Sequence, residues 1–264
     1  MGILDKFKEI FGNSIIQTQV GGNNCTQIQT TGDNTASIQF NDEGNSVIIA
    51  NGQVITSDSV IYTGNGKNHK KIAVDKSAKS FSKIHASGPF DIVYESSSEY
   101  GVNVDASNEM LEKITVYVKN DILYIEPYES FTNKGGKITI TVKAPVIRNI
   151  LLSSAAEFNA KTSIISTDDI EIQLTGACDV NLKQVICKNI NIKLSGAGDI
   201  YASMIEAENK ISLIVTGAGD IDINKVKGDI LETKLIGAGD ITISHANVNK
   251  VIKSNMGAGS ISIN

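Results

Sequence analysis

The chain has 264 residues, a formal charge of -5, sparse aromatics and no tryptophan, and that length holds one elongated domain or two compact ones. The mild negative charge, with no dense Lys/Arg cluster, speaks against nucleic acid as a partner, which needs clustered positive charge. Cys25, Cys178 and Cys187 are an odd number in a long chain and make no disulfide framework, so a reducing compartment is expected.

The first residues, Met1-Gly2-Ile3-Leu4-Asp5-Lys6, lack the uninterrupted apolar core of a signal peptide. Lys6 stands where a myristoylation signal wants Ser or Thr, and no apolar run approaches the ~20 residues that span a bilayer. A cytoplasmic protein is the expectation. Residues 1–12 are predicted to form a short amphipathic helix. Ile3, Leu4, Phe7, Ile10 and Phe11 share one face at 100° per residue, with Asp5, Lys6, Lys8 and Glu9 opposite. A helix of about ten residues is unstable alone in water and must dock. Three destinations are open: an uncovered end of the β-structure, a membrane surface to which the chain would be peripheral, or another copy.

Residues 13–60 read as Gly-Asn and Gln-rich β-repeats followed by a hairpin. Gly12-Asn13-Ser14, Gly22-Asn23-Asn24 and Gly32-Asp33-Asn34 each open a short alternating strand. Glutamines line one side of these strands and could form amide ladders, through which the segment would pair with other copies or with the main domain. Asn51-Gly52 between Val47-Ile48-Ile49 and Val54-Ile55 is a strong hairpin signal. Residues 61–79 look like a linker, and from Phe81 onward strand follows strand, with one helical turn allowed over residues 108–113.

The C-terminal half is a repeat. Gly176-Ala177-Cys178-Asp179, Gly196-Ala197-Gly198-Asp199, Gly217-Ala218-Gly219-Asp220, Gly237-Ala238-Gly239-Asp240 and Gly257-Ala258-Gly259-Ser260 have first glycines spaced 20, 21, 20 and 20 residues apart. A degenerate copy, Ser153-Ser154-Ala155-Ala156-Glu157, comes one period earlier. A period near 20 without helical patterning means that each repeat is one coil of short strands, so residues 80–264 are expected to be an all-β single-stranded β-helix or β-solenoid preceded by the strand-rich region. The corner glycines are expected to adopt conformations that other residues resist, and the alanine to lie inside the corner.

The aspartates at 179, 199, 220 and 240 should form a column. An Asx-type hydrogen bond from each carboxylate to a backbone N–H at the corner is the first reading, and a calcium column the rival. Repetition makes no one carboxylate special, whereas acid–base catalysis wants a pair in divergent environments. His69, His85 and His245 are scattered without metal-ligand spacing, and no P-loop, dinucleotide fingerprint or Gly-x-Ser-x-Gly elbow occurs. No catalytic residue, metal site or cofactor is therefore expected.

His85-Ala86-Ser87-Gly88-Pro89-Phe90-Asp91-Ile92, Ala144-Pro145 and the run of Gly-Ala-Gly-Asp-Ile corners together resemble the putative auto-transporter adhesin head family, or head GIN domain, over roughly residues 80–264. The resemblance implies an all-β, β-helix-like domain and no catalytic residues. Two roles follow as expectations. The first is a non-enzymatic structural scaffold that self-associates as a homo-oligomer, held at the membrane or on another protein by its N-terminal helix. The alternative is a surface adhesin or carbohydrate-binding head.

Overall fold

Apolar residues at every second position drive most of this chain into strands, because only a pleated backbone sends alternate side chains to opposite faces. The computed structural model describes residues 80–107, 110, 114–127 and 137–264, with the backbone of six short strands between residues 16 and 73. The helix expected over residues 1–12 lies outside the described residues. The helical turn expected over residues 108–113 is described only at Met110, which is helical and buried.

β1 (Ile16–Gly21) and β2 (Cys25–Thr30) pair antiparallel, placing Gln17 opposite Gln29 and Gln19 opposite Gln27. β3 (Ala36–Phe40), β4 (Ser46–Ala50) and β5 (Gln53–Thr56) form a separate antiparallel sheet, and Ala50 pairs with Gln53 across the Asn51-Gly52 loop. Within the stretch read as a linker, β6 (Ile72–Ala73) is a strand, antiparallel to β9 (Gly101–Asp105).

The body is a β-solenoid with three faces. The first stacks β13 (Asn149–Ser154), β16 (Ile170–Gly176) and the later parts of β18 (Val185–Leu194), β19 (Ile200–Val215), β20 (Ile221–Leu235) and β21 (Ile241–Asn255). The second stacks β14 (Glu157–Ala160), β17 (Asp179–Leu182), the early parts of β19, β20 and β21, and β22 (Ile261–Ile263). The third begins at β15 (Ile164–Ile165) and continues through the middle stretches. Every one of these pairings is parallel, each residue lying over its counterpart one coil away.

The coils begin earlier than the glycine pattern suggests. β7 (Lys83–Ser87) lies parallel on β13, and β8 (Asp91–Ser96) parallel on β14, supplying two faces of a further coil. On these sit β11 (Ile122–Pro127) and β12 (Thr139–Ala144), again parallel. Antiparallel β10 (Ile114–Lys119) on β11, and β9 on β12, then close that end. Asn120 and Asp121 join β10 to β11 with φ of 52° and 66°, the double positive φ of a two-residue hairpin turn. Arg148 pins this turn to the coils: it donates to Asp168 (2.9 Å) and to Ser82 Oγ (3.0 Å), which itself donates to Asp121 (2.5 Å).

Inside, identical positions stack into apolar columns. One runs Leu123, Ile84, Ile150, Ile172, Ile192, Leu213 and then Thr233; another runs Ile140, Ile92, Phe158, Val180, Ile200, Ile221, Ile241, Ile261. Each fully buried Ile, Leu or Val contributes about 1.5–3 kcal/mol relative to exposure. The largest buried rings gather at the closed end, where Tyr94 stacks on Phe158 and donates its hydroxyl to the Ala144 carbonyl at 3.0 Å. The single 21-residue spacing also has a location. Ala207 to Lys210 encloses two residues where the next coil, Gly228 to Ile230, encloses one, so a bulge absorbs the extra residue and the ladders stay in register.

Candidate functional site

Three surface features stand out: the corner ridge, the solvent side of the first face, and the far end of the last coil. The ridge is where the first face turns into the second. Gly176, Gly196, Gly217, Gly237 and Gly257 stack there in one column and Asp179, Asp199, Asp220 and Asp240 in another.

The glycines are needed for a different reason than expected. Among the described glycines only Gly88 (φ 136°) and Gly176 (φ 104°) are left-handed. At Gly217, which is not, a Cβ would fall on the carbonyl oxygen of Gly196 one coil away. Close stacking, not handedness, excludes side chains from the later corners. The alanine also sits differently: Ala197, Ala218 and Ala238 are exposed, and it is the second glycine, Gly198, Gly219 or Gly239, that is buried. The alanine N–H instead donates to the first glycine of the preceding corner, as Ala218 does to Gly196 O at 2.9 Å. Cys178 fills the buried position at the one corner stacked on a non-glycine copy. That lower corner is left-handed too, at Ser154 (φ 72°); a Cβ at Gly176 would still meet the Ser154 carbonyl oxygen, so of these two positions only that of Cys178 admits a side chain.

The aspartates form an inter-coil ladder and not a turn closed within each corner. Asp179 Oδ1 accepts the Asp199 N–H (2.9 Å), Asp199 Oδ1 that of Asp220 (2.9 Å), and Asp220 Oδ1 that of Asp240 (2.7 Å). Asp240 Oδ1 then accepts both the backbone N–H (2.5 Å) and the hydroxyl (2.8 Å) of Ser260. The Ser260 N–H, followed by its hydroxyl, holds the Asp240 carboxyl below the usual carboxylate range. The column extends backward through Glu157 to Asp91, which Lys137 meets at 2.5 Å. Both were missed as members of it, although Ser87-Gly88-Pro89-Phe90-Asp91 has the same Ser/Thr-Gly-x-x-Asp pattern. Among the described residues no group of three or more His, Cys, Asp or Glu side chains converges as metal ligands.

The solvent side of the first face carries a strip invisible in the repeat. Register places Tyr117 opposite Tyr124, Tyr124 over His85, His85 over Leu151, and then Gln173 and Lys193. Tyr117 and Tyr124 stack at 4.8 Å, and His85 meets Tyr124 edge-on at 5.4 Å. Burial lowers the His85 pKa, which keeps the ring neutral at pH 7, and burial raises that of Tyr117. His85, read from sequence as isolated, is therefore part of a cluster. Beside it Glu171 accepts from Gln173 (2.6 Å), Lys193 (3.1 Å), Asn191 (3.3 Å) and Asn149 (3.4 Å). The Gln173 amide leads in holding the Glu171 carboxyl below its ordinary pKa.

Other expected residues fall elsewhere. Ile3, Leu4, Phe7, Ile10 and Phe11, and His69, lie outside the described residues. His245 is exposed, its Nδ1 3.3 Å from the Asn224 carbonyl. Cys178 and Cys187 are free and buried, and burial pushes the Cys187 thiol up to about 12.

Parallel coils turning at a stacked glycine–aspartate ridge, closed at one end by antiparallel strands, define a β-solenoid head domain. The chain belongs to the family described as "Putative auto-transporter adhesin, head GIN domain", whose model matches residues 80–263. Solved structures share the fold. A putative adhesin from Bacteroides fragilis aligns with TM-score 0.59 at 20% identity, covering 74% of this chain and 97% of its own. A putative lipid binding protein from Parabacteroides distasonis gives 0.59 at 18%, covering 76% and 98%. A putative adhesin from Parabacteroides merdae gives 0.53 at 18%, covering 78% and 100%. No curated protein matches the chain in sequence.

Proposed function

We propose that the domain is a non-enzymatic, adhesin-like head that holds an extended polar polymer, a polysaccharide, along the solvent side of its first face. The observation that carries this reading is the continuity of that face. Nine strands, from β10 through β11, β7, β13, β16 and β18 to β21, lie side by side, a surface about 38 Å long at ~4.8 Å per strand. Its closed end offers tyrosine hydroxyls and ring edges, and its middle offers the amides of Asn149, Gln173 and Asn191 beside the Glu171 carboxylate and the Lys193 ammonium. Such donors and acceptors, held by their own network on a rigid sheet, match the hydroxyl pattern of a sugar chain. The tyrosines stack on one another, so recognition rests on hydrogen bonds more than on ring faces.

Family membership supports an adhesive role over catalysis, and each aspartate of the ridge has the same kind of partner, which is unlike an acid–base pair. The adhesin reading requires the chain to reach a cell surface, so fractionation of the native host decides between it and the cytoplasmic placement expected from residues 1–6. Solid-phase binding of the full chain to a panel of bacterial and host polysaccharides tests the site. Tyr124→Ala and Glu171→Ala should each weaken capture at least tenfold, while Lys227→Ala on another face leaves it unchanged. Capture unaffected by both variants, or turnover of a captured polysaccharide, overturns the reading.

A further inference from the structure

The far end of the solenoid supports an inference independent of the polysaccharide reading. Six large apolar side chains are exposed among the described residues, and four of them, Ile236, Val251, Ile252 and Met256, lie in the last two coils. The strand edge is open there as well. β22 covers only Ile241–Ile243 of β21, and among the described residues no strand pairs with the outer edge of residues 247–255. The core columns consequently end on Ile263, Ala246 and Val248, which are partly buried, and on Val251, which is 46% exposed. The opposite end is closed by β9, β10 and the buried Met110.

Lys253 limits what can cover this end. It occupies an interior column above the fully buried Thr233 and is itself exposed only because no coil follows it among the described residues. A strand added by a second copy would seal that ammonium into the seam, and a two-fold pairing centred on it would set Lys253 against its own image. Inward-pointing lysine on an edge strand opposes strand addition, and like charges directly opposite destabilise a pair. A helix laid across the coil needs no ladder hydrogen bonds. It leaves the rim N–H and C=O groups in water and lets Lys253 reach past its margin.

Residues 3–11 carry the apolar periodicity of such a helix in their sequence. We propose that residues 3–11 cap the open end of their own solenoid, setting Ile3, Leu4, Phe7, Ile10 and Phe11 on Val248, Val251 and Ile263, beside Met256. Asp5, Lys6, Lys8 and Glu9 then form the polar outer side that a terminal element of a repeat array requires. The dimensions agree: ten helical residues span ~15 Å, and a strand of five residues, one side of the coil, spans ~17 Å. The tether reaches too. From β6, where that tether ends, through β9, β12, β8, β14, β17, β19 and β20 to β21 the stack rises about 38 Å at ~4.8 Å per step, and residues 57–71 alone can extend to about 50 Å.

Hydrogen–deuterium exchange on the full chain and on a chain lacking residues 1–11 tests the cap, alongside sedimentation velocity from about 2 to about 50 μM. Deletion should speed exchange across residues 247–255 at least tenfold through fraying of the last coil, leave Ile211–Val215 unchanged, and not alter a monomeric sedimentation coefficient. Phe7→Asp with Ile10→Asp should reproduce the deletion. Equal exchange in both chains overturns the cap. So does protection that grows with concentration together with a dimer, which would place a second copy there. Binding of the full chain to phosphatidylcholine–phosphatidylglycerol vesicles through residues 1–11, with residues 247–255 unaffected, also overturns it.

Discussion

A glycine at the ridge earns its place through a distance. Gly217 lies so close to the Gly196 carbonyl that any Cβ must displace backbone, whereas a Cβ at Gly101 meets only the Lys143 Cβ at 3.8 Å, ordinary contact. Gly217→Ala should therefore cost about 3 kcal/mol or more in urea unfolding, in the range of severe core strain, and Gly101→Ala less than about 0.5 kcal/mol. The exposed Ala218, one residue on, should accept serine without measurable loss. The thiols are governed by burial in the same way. With Cys187 pushed up to about 12, and Cys178 raised chiefly by desolvation, neither should react with a thiol reagent at pH 8 until guanidinium is added. Peptide mapping of the labelled sites checks this.

The carboxylate ladder makes each coil depend on its neighbour through one acceptor oxygen. Asp199→Asn keeps an oxygen for the Asp220 N–H and should be near neutral, while Asp199→Ala should cost about 1 kcal/mol, the worth of one hydrogen bond. Glu171 links stability to pH. Its folded-state pKa is lowered, so its contribution is present above the unfolded value near 4.3 and is lost as pH falls through the folded one. Glu171→Gln should be less stable than the parent at pH 7, and the gap should close below about pH 4; urea midpoints at the two pH values measure it. At this scale the sequence was readable where glycine recurs, because a stacking constraint repeats with the coil. It showed only a degenerate copy where Ser154 and Ala156 stand in for the glycines, at a corner whose Ser154 is left-handed. Asp91 and Glu157 were overlooked as members of the column because Pro89-Phe90 and Ala155-Ala156 stand where the later corners have Ala-Gly.

In the molecule as a whole, the features with functional promise are those that long-range register creates. Tyr117, Tyr124 and His85 belong to three strands, and only the parallel seating of β11 on β7 joins His85 to the tyrosines. No local spacing encodes that pairing, so the aromatic strip was hidden while the coil length was plain. The closed end was hidden likewise: β9 and β10 look like any hairpin strands until β11 and β12 take their places on the first coil. Stability in such a stack is a sum of neighbour terms, so substitutions in β21 should fray the last coil and leave β13 protected in hydrogen exchange.

The ladder bonds between coils have a mechanical consequence. They run along the solenoid axis, so tension that draws the C-terminal end away from the body loads one coil boundary at a time. The chain should pay out like thread from a spool, each event freeing about 20 residues, or about 70 Å of contour. A head domain built this way dissipates a pull in small equal steps from the Ser260 end, while the aromatic strip near the closed end is the last part to let go.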